Sequence, residues 1–65
     1  MDKERKEMQE MAQFVFENGT VEEETIFKLG DVSKESYVVK LDGEKYYLTK
    51  TDGEWSYFFH GGEWL

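Results

Sequence analysis

Apolar residues follow two different periods along this chain, one at its start and another after residue 25. In the first part, apolar residues recur at intervals of three and four, which is the spacing of one helix face. The neighbouring residues are mostly strong helix formers, and Asp2 can cap the first turn. The pattern predicts an α-helix over residues 2–18, ending at Asn18-Gly19. Its apolar stripe consists of Met8, Met11, Ala12 and Val15.

The dipeptide Asn18-Gly19 also permits a different interpretation, because Asn-Gly is a strong hairpin signal. Residues 14–17 and 20–21 would then form two short strands, and the helix would end near Met11. We favour the longer helix, since the apolar stripe continues through Val15 without a break.

Turn signals divide the second half of the chain at nearly equal intervals. Asp42-Gly43, Asp52-Gly53 and Gly61-Gly62 supply residues that adopt positive φ in two-residue hairpin turns. The earlier segment Thr25–Leu29 alternates like a strand, and we expect a loop over residues 32–34. Aromatic and branched residues fill the later strands, which are Glu35–Leu41, Glu44–Lys50, Glu54–His60 and Glu63–Leu65.

Counting outward from each turn predicts which residues oppose one another, and opposed residues share a face. Val39 should oppose Tyr46, and Leu48 should oppose Tyr57. One face then carries most of the large apolar residues and should form the core beneath the helix stripe. Its members are Tyr37, Val39, Leu41, Tyr46, Leu48, Trp55, Tyr57, Phe59 and Trp64.

The opposite face is mostly polar but carries one apolar row across the sheet, formed by Val38, Tyr47, Phe58 and Leu65. We expect such an exposed row to serve as a partner-binding or self-association surface. The structural alternatives are ordinary cross-strand packing that stiffens the sheet, or coverage of the row by another part of the chain.

These elements predict an α+β fold in one small domain spanning residues 1–65. A single N-terminal helix packs on one face of an antiparallel β-meander of four to five strands. The alternative is a mostly β, barrel-like meander with a shorter helix.

Acidic residues outnumber basic ones by 15 to 8, so the formal charge is −7. This charge opposes direct binding to nucleic acids or anionic membranes, since both require a basic protein surface. It suits a protein partner with a basic surface. The chain has no cysteine, no long apolar segment and no apolar leader, so we expect a cytoplasmic location.

Much of the excess negative charge falls within residues 14–31, where Lys28 is the one base. Alternate residues of a strand recur at roughly 6.6 Å, not far from the spacing of successive phosphates in a nucleic-acid strand. The run is therefore predicted to bind a basic partner by imitating a nucleic acid. The alternative is that these acids form a solvated loop, or that they keep an exposed strand edge from aggregating. The acids are Glu17, Glu22, Glu23, Glu24 and Asp31.

The chain carries little of the chemistry that catalysis requires. His60 is the single histidine, and Ser56 lies about one strand repeat away from it, with no nucleophile-elbow pattern around either residue. His60 and Glu63 supply too few ligands for a metal site. We expect no enzyme activity, no cofactor and no metal.

In size, acidity, lack of cysteine and α+β layout, the chain resembles small phage-encoded inhibitors of host defence and DNA enzymes, including anti-CRISPR proteins. The resemblance is one of overall character and assigns no individual residue. It implies a stoichiometric inhibitor of a basic or nucleic-acid-binding protein. The alternative is an assembly module that forms a homodimer through the apolar row. A small-ligand domain or enzyme is least favoured, because so small an aromatic core leaves little room for a pocket.

Overall fold

The computed structural model describes residues 2–62 as one helix and four antiparallel strands. The strands are arranged in the sheet in chain order, which makes a meander, and the helix packs on one face of the sheet. The predicted α+β fold is confirmed. The elements are α1 (Asp2–Asn18), β1 (Thr20–Leu29), β2 (Val32–Leu41), β3 (Glu44–Thr51) and β4 (Glu54–Gly62).

Helix α1 ends where its sequence predicts. The Gly19 N–H donates to the Val15 carbonyl at 2.8 Å, and the Asn18 side chain donates to the Phe14 carbonyl at 2.8 Å. Gly19 is required for packing, because a Cβ at this position would collide with Val39 Cγ1. The alternative hairpin around Asn18-Gly19 is wrong, since the helix continues to Asn18.

Two of the three predicted turns in the second half form as expected. Asp42 and Asp52 have φ of 54° and 51°, and the glycines that follow them have φ of 80° and 85°. Positive φ at both central residues defines the type I′ turn that suits a two-residue hairpin. The third prediction is wrong, because β4 continues through Gly62, which pairs with Lys45. The predicted strand Glu63–Leu65 lies outside the described residues.

Strands β1 and β2 are both longer than predicted. β1 begins at Thr20 rather than Thr25, and β2 begins at Val32, inside the segment predicted to be a loop. The cause is a tight turn in which Gly30 has a φ of 63° and Leu29 already pairs with Val32. β1 therefore lies along the length of β2 and forms one edge of the sheet.

A bulge in β4 changes the register predicted for the last hairpin. Lys50 opposes Trp55 as expected, but Thr49 opposes Tyr57, so Ser56 is an extra residue in β4. One extra residue moves every later side chain of the strand to the opposite face. The register predicted between β2 and β3, which has no such bulge, is confirmed.

The bulge exchanges the environments of three aromatic residues. Phe58 opposes Leu48 and packs against the core, although we expected it on the opposite face. Tyr57 and Phe59, which we expected in the core, are 50% and 46% exposed. Further along the strand, a Cβ at Gly61 would lie 2.9 Å from the ring of Tyr47. Gly61 therefore makes room for an aromatic side chain instead of forming a turn.

The core lies between α1 and the covered face of β2, β3 and β4. Two hydrogen bonds hold α1 against β4: Gln9 Nε2 donates to the Trp55 carbonyl at 3.0 Å, and Trp55 Nε1 donates to Gln13 Oε1 at 2.8 Å. Phe16 packs against the ring of Tyr37, with 4.9 Å between centroids, although the predicted stripe omitted it. Among the described residues, the buried hydrophobic ones are Ala12, Val15, Tyr37, Val39, Leu48 and Trp55.

Candidate binding surfaces

The predicted acidic run lies mostly on β1, whose 10 residues are all exposed. A bulge after Val21 makes Glu22 an extra residue of the strand. The Glu22 carboxylate lies 3.9 Å from the ammonium nitrogen of Lys45, an ion pair at the protein surface. Glu23 and Glu24 follow on opposite faces, because side chains alternate along a strand. The run therefore does not present its charge on a single face.

The two remaining acids of the run lie at opposite ends of β1. Glu17 is in the last turn of α1, just before β1 begins, and it accepts a hydrogen bond from Gln13 at 2.8 Å. Asp31 is in the turn after β1, and the strand between Glu24 and Leu29 alone spans roughly 17 Å at the usual rise per residue. Glu17 can thus act together with the glutamates of β1, whereas Asp31 is separate from them.

An apolar groove between α1 and the β2–β3 turn was not anticipated from the sequence. Met11 and Phe14 project from the exposed side of α1 and are 55% and 59% exposed, although Met11 was predicted to be buried. The groove has a volume of about 350 Å³ and includes two carboxylates among its walls. We call it the helix groove; its lining residues are Glu10, Met11, Phe14, Val15, Leu41, Asp42 and Tyr46.

The sequence does carry a signal for the helix groove. Glu10, Phe14 and Glu17 recur at intervals of four and three, so they form a second stripe on α1 beside the buried one. Met11 lies at the border of the two stripes, which is why its spacing alone suggested burial. The second stripe combines acidic and apolar side chains on one exposed surface.

The apolar row on the face of the sheet away from α1 differs from the predicted one. Val38 opposes Tyr47, and Tyr47 opposes Phe59, so these three residues cross the sheet together. Phe58 is excluded because it packs against the core, and Leu65 lies outside the described residues. We call Val38, Tyr47 and Phe59 the outer row.

Aromatic contacts extend the outer row toward the β3–β4 turn. The rings of Tyr47 and Phe59 are 6.0 Å apart between centroids, and those of Tyr57 and Phe59 are 6.5 Å apart and stacked. Lys40 and Lys45 oppose each other on the same face, next to Val38 and Tyr47 in their strands. Glu23 opposes Val38, and Lys45 pairs with Glu22, so acidic residues also border the outer row. The outer face is thus aromatic with neighbours of both charges, in contrast to the acidic helix groove.

His60 belongs to a small polar cluster at the end of β4. Its Nε2 lies 2.6 Å from Glu44 Oε1, and its ring stacks on Tyr46 with 4.7 Å between centroids. The Tyr46 hydroxyl donates to the same carboxylate oxygen at 3.3 Å. Burial, followed by the charge and hydrogen bond of Glu44, raises the pKa of Tyr46. Glu63, named with His60 as a possible ligand pair, lies outside the described residues.

Ser56 is in a different part of β4 from His60. Its hydroxyl lies 2.8 Å from the Thr51 hydroxyl and donates to the Thr49 carbonyl at 3.3 Å. These bonds stabilise the bulge. Among residues 2–62, no three His, Cys, Asp or Glu side chains are grouped closely enough to hold a metal ion.

Comparisons with protein-family models, with curated proteins and with solved structures give no match to this chain. Within the part of the chain that the structure describes, no helix has the length and apolar composition needed to cross a membrane.

Proposed function

We propose that this chain is a non-enzymatic binding protein whose partner presents a basic and partly apolar protein surface. The helix groove carries this proposal, because exposed Met11 and Phe14 share it with the carboxylates of Glu10 and Asp42. A basic segment with apolar side chains would complement both parts of the groove.

The apolar and acidic groups would contribute differently to binding. Fully burying a Met or Phe side chain is worth about 1.5–3 kcal/mol, so Met11 and Phe14 would slow dissociation of the partner. The formal charge of −7 would attract a basic partner over longer distances and accelerate association. Glu17 and the glutamates of β1 add to this field next to the end of α1.

Such binding would inhibit a partner whose basic surface normally holds a nucleic acid. The bound acidic protein would occupy that surface in place of phosphates, with one molecule inhibiting one target and no chemical step involved. We therefore propose a stoichiometric inhibitor that acts as a partial nucleic-acid mimic.

The test uses a defined probe, an amphipathic helical peptide of lysine and leucine, titrated into the labelled protein and followed by NMR. We expect the largest shift changes at Met11, Phe14 and Asp42, and affinity that falls as salt rises. The variant Met11→Ser/Phe14→Ser keeps every charge and should weaken binding by about tenfold or more.

Two controls separate groove binding from general attraction between opposite charges. A lysine and serine peptide of equal charge should bind the wild type no better than it binds Met11→Ser/Phe14→Ser. The variant Phe59→Ser changes an exposed aromatic residue on the other face and should bind the lysine and leucine peptide normally. Equal binding of the two peptides, or shift changes spread over the whole surface, would contradict the proposal.

A second candidate function is assembly through the outer row, which the 46% exposure of Phe59 and the 50% exposure of the adjacent Tyr57 favour. Monomeric soluble proteins rarely leave large contiguous apolar patches uncovered. Loss of self-association in Phe59→Glu would support this role.

A further inference from the structure

The outer edge of β1 is a regular strand edge that no described strand occupies. Beyond the bulge at Glu22, its register with β2 is uninterrupted from Glu23 to Leu29. Leu29 pairs with Val32 directly across the two-residue turn, so this pair must exchange the backbone hydrogen bonds nearest the turn. The direction of the backbone groups alternates along a strand. The N–H and C=O groups of Lys28, Ile26 and Glu24 therefore point away from β2.

The side chains of those same residues form a self-complementary pattern. Glu24, Ile26 and Lys28 share the face that α1 covers elsewhere, since Glu24 opposes the buried Tyr37 and the others follow at intervals of two. Their charges are negative, neutral and positive in chain order. An antiparallel copy of the same strand therefore presents the opposite order.

We propose that two copies of this chain associate through antiparallel pairing of their β1 edges, centred on Ile26. In this register, Ile26 opposes its own counterpart, and each Glu24 opposes Lys28 of the partner. Both ion pairs lie on one face, and the paired residues are those whose backbone groups point outward. The product is an isologous dimer with a continuous sheet of eight strands.

Neighbouring registers lack this complementarity. Residues that oppose each other across the two copies must share a face of the sheet. The two-fold axis must therefore pass through a residue of β1, and the neighbouring registers are centred on Phe27 and on Thr25. Centring on Phe27 would place Lys28 opposite Ile26 and leave Glu24 opposite Gly30. Centring on Thr25 would place Lys28 opposite Glu22, the bulged residue that already pairs with Lys45.

Exposure and helix position also suit this pairing. Ile26 is 61% exposed and Phe27 is 41% exposed, so both have apolar surface to bury against the second copy. α1 makes most of its contacts with β4, at the far side of the sheet. The two β1 strands would therefore separate the two helices.

The decisive experiment is sedimentation equilibrium of the full chain over micromolar to millimolar concentrations with reciprocal charge reversals. We expect a dimer for the wild type, and dissociation constants raised by about tenfold or more in Glu24→Lys and in Lys28→Glu. The double variant Glu24→Lys/Lys28→Glu restores the opposite order of charges and should return to within about threefold of the wild type.

Two controls exclude a change in net charge and a loss of folding as causes of weaker association. Glu7→Lys changes the charge as Glu24→Lys does, but on the exposed side of α1, and should leave the dimer intact. Circular dichroism at low concentration checks that each variant is folded. Amide exchange adds a signature: Glu24, Ile26 and Lys28 should gain protection with concentration, whereas Thr25 and Phe27 should already be protected by β2.

Three outcomes would overturn the proposal: a wild type that is monomeric throughout, a dimer that both charge reversals leave unchanged, or a double variant as weak as the single ones. A dimer lost in Phe59→Glu but kept in Glu24→Lys would assign association to the outer row. Met11 and Phe14 are not part of the β1 edge, so failure here leaves the peptide-binding test of the helix groove unaffected.

Discussion

Strands β1 and β2 are neighbours of equal length, yet only β2 contributes to the core. Val39 of β2 is 0% exposed, whereas Val21, its cross-strand neighbour in β1, is 41% exposed. The difference arises because one helix of 17 residues covers only part of a four-stranded sheet. In so short a chain, burial is concentrated where α1 meets the sheet, and the strand farthest from β4 is left outside it.

The comparison suggests a division of roles within the molecule. α1, β2, β3 and β4 supply the packed core, while β1 is held mainly by its hydrogen-bonded ladder with β2. Segments with little apolar burial open at lower free energy than the core, and elements that bind or move are drawn from such segments. The apolar side chains proposed to bind, which are Met11 and Phe14 of α1 and Ile26 of β1, are exposed and lie outside the core.

Truncating one side chain in each region should produce the largest contrast. Leu48→Ala removes a residue that is 1% exposed and should lower the free energy of unfolding by about 2–5 kcal/mol. Ile26→Ala removes a residue that is 61% exposed and should cost less than about 0.5 kcal/mol in dilute solution. Urea unfolding followed by tryptophan fluorescence measures both. Similar losses at the two positions would contradict the proposed division of roles.

Gly19 connects α1, which belongs to the core, to β1, which does not. Gly19→Ala should produce the next largest loss of unfolding free energy. The added Cβ would collide with Val39 Cγ1 and lie 2.9 Å from the carbonyl oxygens of Val15 and Lys40. We expect a loss of about 1–3 kcal/mol, measured by urea unfolding. Gly30→Ala is the matched control: its Cβ meets nothing within 4 Å, so its positive φ alone should cost about 1 kcal/mol. A greater loss at Gly30 than at Gly19 would refute the steric argument.

The parts of the fold that sequence predicts well are those with local signals. The apolar stripe through Val15 predicts the full helix, because helix periodicity depends on residues three and four apart. Asp42-Gly43 and Asp52-Gly53 predict their turns, because few residues adopt positive φ. Gly61-Gly62 also predicts a turn, but both residues lie in β4. Gly61 is there because the ring of Tyr47 leaves no space for a Cβ.

The candidate surfaces depend on features that are not local. The bulge at Ser56 moves Phe59 outward and Phe58 inward, and nothing in the sequence of β4 marks the extra residue. Met11 lies at the border between the buried and the exposed stripe of α1, so its helical spacing alone does not predict its 55% exposure. The negative charge around Glu24 was visible in the sequence, but its division between two faces follows from the register.

The smallest effect expected here concerns Tyr37, a buried residue of β2 at the border of the two regions. Its hydroxyl donates to Glu35 at 2.8 Å. Burial is the main cause that raises the pKa of Tyr37 from 10.0 to about 12, followed by the hydrogen bond and charge of Glu35 and by the charge of Glu24 in β1.

Stability should therefore decrease with rising pH in a defined window. Between pH 10 and pH 12, the unfolded chain has released the Tyr37 proton that the folded chain still holds, so higher pH favours unfolding. The stabilisation is complete below this window and should be lost progressively as the pH rises through it. Tyr37→Phe keeps the ring but removes the ionising hydroxyl, so its unfolding free energy should decline less over the same range. Identical pH slopes for the two proteins would mean that folding does not raise the pKa of Tyr37.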